Sequence, residues 1–328
     1  MRDLIVTGVQ TCALPIFLLA LLLGMAASFG VGVLLLSGGL SSTFGLTSHS
    51  GVTAIIAAVL ALTISASAVS GVLKGIRYFS LVNTLFFIAM LAIIAAFGPM
   101  DGFWASTTAA LSDYATSFVP RSLLLDDFPS AAWRNDWTVF YFTNWFAWAP
   151  VTAIFLASIS KGYTVRAFIT MNLILPSLFT LVWMSVIGVF TLNVNRGLGG
   201  ALQDILANQS PEAVMFAALE TLPGASVIIG VMLIIAFLSF VTAADSSADA
   251  IAKVCTRSVA QGTRAKSAIK IVSVCTLAFL GWMMITFSGI DGVRMLSNVG
   301  GLPGMLLVWV MMAYVLKTML VRPRTLIP

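Results

Sequence analysis

The chain has 328 residues, of which 59% are hydrophobic and only 9% are charged, with a mean hydropathy of +1.04 and a net charge of +5. Soluble domains carry roughly 25% charged residues, so the composition excludes a soluble domain, and equally a disordered or disulfide-rich secreted chain. The basic residues form no stripe, which excludes nucleic acid as a partner. The composition predicts a polytopic membrane protein.

The first residues have an unusual sequence. Residues 6–16 read VTGVQTCALPI, which looks like the translation of a DNA-sequencing adapter. A signal peptide fits poorly, because the following apolar run is too long and has no small-residue cleavage pattern. We therefore predict that 1–16 is a non-native segment and that 17–328 is the natural domain.

Eight apolar windows follow in chain order. Each is about 20 residues long, which is the length of a membrane helix, and in lipid the backbone groups of such a segment can be satisfied only within a helix. The sequence thus predicts an all-α polytopic membrane protein with about eight transmembrane helices, at about 17–40, 52–69, 80–98, 137–159, 168–192, 225–248, 268–288 and 297–317.

The loops between these windows differ in charge. If the first window starts in the cytoplasm, the inner side carries twelve basic residues: Lys74, Arg77, Lys161, Arg166, Lys253, Arg257, Arg264, Lys266, Lys270, Lys317, Arg322 and Arg324. The outer side carries four, Arg121, Arg134, Arg196 and Arg294. The positive-inside rule therefore predicts that both ends of the natural segment are cytoplasmic.

The outer segment 101–136 and the single histidine are two further candidates for a functional role. The segment opens with an amphipathic pattern that suits the membrane interface, although its Trp and Tyr are more simply interfacial anchors. His49 has no second histidine with which to share a metal. The sequence contains none of the G-x-S-x-G, H-E-x-x-H or P-loop motifs, so we predict no enzyme, no catalytic metal and no cofactor.

An aromatic stripe marks the fourth window, where residues 137–150 read WTVFYFTNWFAWAP. Tyr141, Asn144, Trp145 and Trp148 are spaced three and four residues apart, so they share one face of a helix. Aromatic rings that face the inside of a bundle can bind a quaternary ammonium group by cation–π attraction. From the stripe alone, an aromatic belt at the membrane interface is a slightly better interpretation.

The segments around the stripe change that balance. The stripe, followed by ISKGYTVRAF, resembles the eighth helix and the basic cytoplasmic loop of the betaine/choline/carnitine transporter family, where the helix carries W-x-W-W-x-x-W-x-P. Four further segments match the family in order: SFGVGVLLLSGGL at 28–40, VSGVLKGIRYFSLVN at 69–83, FVTAADSSA at 240–248 and GLPG at 301–304. The resemblance covers essentially the whole chain from Phe17.

The resemblance implies part of a LeuT-like inverted-repeat transporter fold, with the site where broken helices meet near the membrane midplane. By this alignment the chain holds the family's helices five to twelve. We therefore expect a truncated transporter domain that keeps part of the site and does not accumulate solute by itself. The resemblance also allows a homotrimer.

The resemblance assigns a solute site to Trp145, Trp148, Asn144 and Tyr141. Trp145 and Trp148 match the family's second and third tryptophans, whereas Asn144 replaces the first. The amide of Asn144 either meets a carboxylate of the solute or satisfies a polar gap. The substrate is then a relative of betaine, such as a sulfonium or another methylated amine.

The tenth helix of the family implies an ion site at Thr242, Ser239 and Asp245. The family's Thr–Ser pair reads Thr242–Ala243 here, so one hydroxyl ligand for sodium is absent. Carboxylates within a span are usually functional. For Asp245 a functional and a structural role are equally weighted, whereas for Asp249 a salt bridge to Lys253 at i+4 is the simpler interpretation.

Together these features predict a secondary active transporter of the inner cell membrane. It takes a small zwitterionic or cationic solute of the betaine, choline or carnitine type, with sodium as the coupling ion. Two other classes stay open: an inactive or structural membrane fragment, and a related inverted-repeat carrier for amino acids that has no need of Trp145 and Trp148.

Overall fold

The computed structural model describes residues 2–46, 49–70, 76–123, 130–255 and 263–321. Within these ranges the secondary structure is helical. The helices are α1 (Arg2–Phe44), α2 (Ser50–Ser70), α3 (Ile76–Phe97), α4 (Phe103–Ser122), α5 (Ala131–Trp133), α6 (Phe140–Ile159), α7 (Val165–Ile169), α8 (Leu175–Gly197), α9 (Ala201–Asn208), α10 (Pro211–Leu219), α11 (Ala225–Cys255) and α12 (Thr263–Val321). The chain is an all-α polytopic membrane protein.

Six of these helical stretches, counted over the described residues, are long and apolar enough to cross a membrane. The last of them, Ser267–Thr318, contains both the seventh and the eighth predicted windows, which lie on either side of a break in α12 at Gly289 (φ 54°, ψ −139°). The predicted fourth window is not among the six, although α6 forms there. The division into eight spans therefore stays a prediction.

Turn chemistry sets where several short helices begin. The side chains of Ser130, Thr164 and Ser210 accept hydrogen bonds from the backbone N–H groups at the starts of α5, α7 and α10, as expected of N-caps. Two π-helical turns, Arg134–Val139 and Thr170–Ile174, lead into α6 and α8. Such wide turns are rare and often lie at functional sites.

The helices fall into two compact units. The first unit consists of the described residues of Met1–Val31, Ser130–Ile159 and Ala244–Pro328, and the second consists of those of Gly32–Pro129 and Ser160–Ala243. In the first unit α6 packs along α12. At their contact, a Cβ at Gly301 would overlap the carbonyl oxygen of Thr143, and one at Gly304 that of Phe146. The GLPG segment thus lets two helix backbones approach closely, as small residues do in membranes.

The second unit has its core where α8 and α10 pack and where α3 lies on α8. Phe190 and Phe216 are almost fully buried there, with Ile94 beside them in the same cluster. The side-chain amide of Asn193 donates to the backbone oxygens of Pro99 (3.1 Å) and Asp101 (3.0 Å), which ties α8 to the connection between α3 and α4. The amphipathic segment predicted after residue 101 forms α4, none of whose residues is buried.

Candidate functional site

The aromatic stripe runs from the π-helical turn into α6 as a series of stacked rings. The Trp137 ring lies 6.2 Å from that of Trp133 and 5.9 Å from that of Tyr141, with interplanar angles of 26° and 11°. Each ring is four residues from the next, so the stack follows one helix face. Tyr141 and Trp145 keep 46% and 68% of their surface exposed. This face of α6 therefore presents aromatic surface that the described helices do not cover.

Trp148, one turn further along α6, is held differently. Its indole Nε1–H donates a hydrogen bond to the hydroxyl oxygen of Ser28 on α1 (2.9 Å), and the ring is half-buried. The bond uses the only polar group of the indole, which lies at the edge of the ring and not on its faces. Ser28 lies within the glycine-rich match at 28–40, but nothing in the sequence pointed to its contact with Trp148.

Asn144 contacts the second half of α12. The Ser297 hydroxyl, which is completely buried, donates to the Asn144 Oδ1 at 3.2 Å. The neighbouring Thr143 hydroxyl donates to Asn298 Oδ1 at 2.6 Å. Two adjacent polar residues of α6 thus pair with two adjacent polar residues of α12. Sequence analysis did not find Ser297 or Asn298, because their spacing within an apolar window carries no signal of a partner.

Two of the three candidate ion ligands lie in the second unit. Ser239 donates its hydroxyl hydrogen to Asn83 Oδ1 on α3 (3.0 Å). Thr242 bonds back to the carbonyl oxygens of Leu238 and Ser239 at 2.9 and 3.0 Å. With their hydrogens directed at protein oxygens, both hydroxyls have their own oxygen atoms oriented as acceptors, which is the form a cation requires. Asn83 belongs to the family match at 69–83, which sequence analysis did not connect with the ion site.

Asp245, the third candidate, lies in the first unit and is completely buried. Neither of its carboxylate oxygens has a hydrogen-bond partner within the part of the chain that the structure describes. A buried carboxylate within a membrane helix is costly unless it is paired or neutralised, so this position is exceptional.

Asp249 forms an ion pair with a lysine that the sequence analysis did not connect with it. Its Oδ1 lies 2.9 Å from the Nζ of Lys270 on α12, whose side chain is 12% exposed. The side chain of Lys253, the partner predicted at i+4, lies outside the described residues. Among the basic residues that were counted for orientation, Lys74, Arg257, Arg322 and Arg324 also lie outside them.

These groups can perform two kinds of chemistry. The aromatic face of α6 can attract a cationic, weakly hydrated head group through the ring faces. The hydroxyls on α11 can contribute oxygen ligands to a hard cation. Both sets therefore offer groups that bind a cation.

Comparisons with known proteins agree with this chemistry. Residues 9–323 match the family described as BCCT, betaine/carnitine/choline family transporter. The chain is 31% identical to the osmo-dependent choline transporter of Acinetobacter baylyi over 302 residues, which is 90% of this chain and 43% of the relative. It is 30% identical to the glycine betaine transporter of Bacillus subtilis, over 70% of this chain and 44% of the relative.

A third relative broadens the range of solutes named. The ectoine/hydroxyectoine transporter of Virgibacillus pantothenticus is 26% identical over 90% of this chain and 58% of its own length. The chain thus spans less than half of the length of the first two relatives. Because the family match extends over almost every residue and agrees with the aromatic and hydroxyl groups described above, the chain belongs to the betaine/carnitine/choline transporter family.

Proposed function

We propose that this chain contributes its helices to a secondary active transporter for quaternary ammonium or sulfonium solutes. The observation that carries the proposal is the aromatic face of α6, on which Trp145 is exposed and Trp148 is fixed by Ser28. An onium head is weakly hydrated and large, so ring faces hold it better than a carboxylate would in an apolar setting. Family membership and the names of the relatives support the same solute class.

Binding of radiolabelled glycine betaine to the purified chain in lipid nanodiscs tests the proposal. Trp148→Leu keeps the helix apolar and removes one π-face, a loss of about 2 kcal/mol for a desolvated contact, so affinity should fall roughly thirtyfold. Trp104→Leu is the matched control, because Trp104 is 77% exposed and belongs to α4, a different helix from the one that carries the stripe. Absence of saturable binding, or equal affinity of the Trp148 variant and the unchanged chain, would refute the proposal.

We further propose sodium as the coupling ion, with Thr242 and Ser239 among its ligands. The support is the orientation of their hydroxyl groups toward Asn83 and the backbone. Because Ala243 supplies no side-chain oxygen, sodium affinity should be weak, and Ala243→Ser should lower the sodium concentration needed for half-maximal glycine betaine binding. Glycine betaine binding that is as strong in potassium as in sodium at fixed pH would exclude sodium as the coupling ion.

We place the protein in the inner cell membrane with both ends of residues 17–328 in the cytoplasm, and we propose a homotrimer. The support for the orientation is the excess of basic residues on one set of loops, as the positive-inside rule requires. Single cysteines introduced at Gly162 and Gly199, in connections on opposite predicted sides, should react with an impermeant maleimide only from the cytoplasm and only from outside, respectively. Chemical cross-linking of the protein in the membrane measures the number of subunits in the oligomer.

A further inference from the structure

Asn144 occupies the border between the two faces of α6. Thr143 and Ala147, on one side of it, lie against α12 at Gly301 and Gly304. Tyr141, Trp145 and Trp148, on the other side, form the aromatic face. Since Asn144 is three residues from Tyr141 and four from Trp148, it shares their face by helical spacing, while its carbonyl oxygen is bound to α12. It is the polar group closest along the helix to the rings.

The bond from Ser297 decides which end of the amide remains available. Ser297 is completely buried and donates to the Asn144 Oδ1. The Nδ2 amide of Asn144 has no partner among the residues that the structure describes, and Asn144 itself is only half-buried. An amide nitrogen carries two donor hydrogens and no acceptor. The two donor hydrogens of this end of the side chain are therefore available to an acceptor group.

We infer that Ser297 is a positioning residue that turns the Asn144 amide so that its N–H donors bind an acceptor group on the solute. The inference rests on the proposed function and adds a second requirement to it: the solute carries, besides its onium head, an oxygen acceptor such as a carboxylate. The family position held by a ring thereby becomes, in this chain, a hydrogen-bonding position that selects among onium compounds.

The rings and the amide of Asn144 recognise different parts of the solute. The rings attract the cationic head irrespective of the rest of the solute. The amide donors distinguish a carboxylate from a methyl group, because a hydrogen bond to a charged acceptor is about twice as strong as one between neutral groups. Without Ser297 the amide can rotate and present its oxygen, which repels a carboxylate.

Two probes separate these contributions in the purified chain: glycine betaine, which has a carboxylate, and tetramethylammonium, which has no acceptor. Ser297→Ala should weaken glycine betaine binding about fivefold and change the affinity for tetramethylammonium by less than about twofold. Ser297→Thr, which keeps the hydroxyl, should have the same affinities as the unsubstituted chain. Asn144→Asp, which has nearly the same shape, should weaken glycine betaine by more than about tenfold without weakening tetramethylammonium.

Thr143→Val is the matched control, because it removes the hydroxyl of the adjacent pair with Asn298 and should leave the ratio of the two affinities unchanged. Equal losses for both probes in Ser297→Ala would show a packing role only and overturn the inference, and so would an unchanged ratio in Asn144→Asp. If Ser297→Ala does not fold, Ser297→Thr and Asn144→Asp carry the test.

Trp148→Leu distinguishes this inference from the function on which it rests. If Trp148→Leu lowers the affinity for both probes to the same extent, the aromatic site is supported, whatever the Ser297 and Asn144 variants show. If Trp148→Leu leaves the affinity for both probes unchanged, the aromatic site and the proposed function are refuted. A changed ratio in the Asn144 variant together with an effect of Trp148→Leu on both probes is the result expected.

Discussion

Polar side chains pair in both the α6–α12 contact and the surface helix α4, but their surroundings differ. Between α6 and α12, Ser297 pairs with Asn144 and is completely buried, whereas Thr143 pairs with Asn298, which is exposed. On α4, Arg121 and Asp113 form an ion pair at 2.8 Å, yet their side chains are 37% and 55% exposed.

From this difference we expect exposure, more than the strength of a contact in isolation, to set how much the contact stabilises the fold. An exposed ion pair contributes about 0–1 kcal/mol, because water solvates both partners when they separate. A hydroxyl–amide pair between membrane helices is weaker in isolation, but lipid provides no replacement partner, and such pairs contribute about 0.6–2 kcal/mol. Backbone proximity between the helices should matter more than either.

The largest effect is expected where the backbones of α6 and α12 meet. Gly301→Val would place side-chain atoms on the carbonyl oxygen of Thr143, which cannot move without distorting α6, so the cost should reach at least about 3 kcal/mol. Thermal unfolding of the purified chain, followed by tryptophan fluorescence, measures it. Gly230→Val on α11 is the control, since no atom of the described residues beyond its own helical turn lies within 4 Å of its added Cβ. Equal destabilisation by both substitutions would contradict the close contact.

A smaller effect is expected from the polar pair beside that glycine. Thr143→Val and Asn298→Leu each remove one partner of the 2.6 Å bond, and a double-mutant cycle should give a coupling energy of about 1 kcal/mol. Unfolding free energies of the four proteins in detergent–lipid micelles supply the cycle. A coupling energy near zero would show that this pair, whose Asn298 is exposed, contributes no more than the ion pair of α4.

The smallest effect is expected on α4, where the Arg121 guanidinium, by hydrogen bonding, lowers the pKa of Asp113 below its usual 3.8, with Ser117 as the second cause. The charged carboxylate is the form that the folded helix favours. Its contribution is therefore present above the usual pKa and is lost as pH falls through the lowered one. Arg121→Gln should raise the pKa of Asp113 toward 3.8, and Ser117→Ala should raise it less.

Titration of the Asp113 carboxyl by carbon-13 NMR of selectively labelled protein measures both shifts. Unfolding of the chain at neutral pH should be almost unaffected by Arg121→Gln, in contrast to Gly301→Val. A larger pKa change for the serine variant than for the arginine variant would reverse the order of the two causes.

Sequence patterns were reliable for features that depend on a single segment. Apolar length predicted membrane helices, and the three- and four-residue spacing of Tyr141, Asn144, Trp145 and Trp148 correctly grouped these residues on one helix. The sequence was less informative about which side chains contact one another between helices. The i+4 pair of Asp249 with Lys253 stays a prediction, whereas the pair with Lys270 on the next helix could not be predicted from the sequence. Helical spacing specifies which residues share a face, and it carries no information about the element that covers the face.

The sequence alone therefore determined the membrane class, the all-α architecture and the family, because composition, apolar length and ordered motifs are properties of the chain itself. Only the tertiary structure decided that Ser28 holds Trp148, that Ser297 binds the oxygen of Asn144 and that Asp245 is buried without a hydrogen-bond partner among the described residues. Those contacts join positions more than a hundred residues apart. They depend on which helices pack together, and in an apolar chain nearly every helix face is chemically able to pack against another.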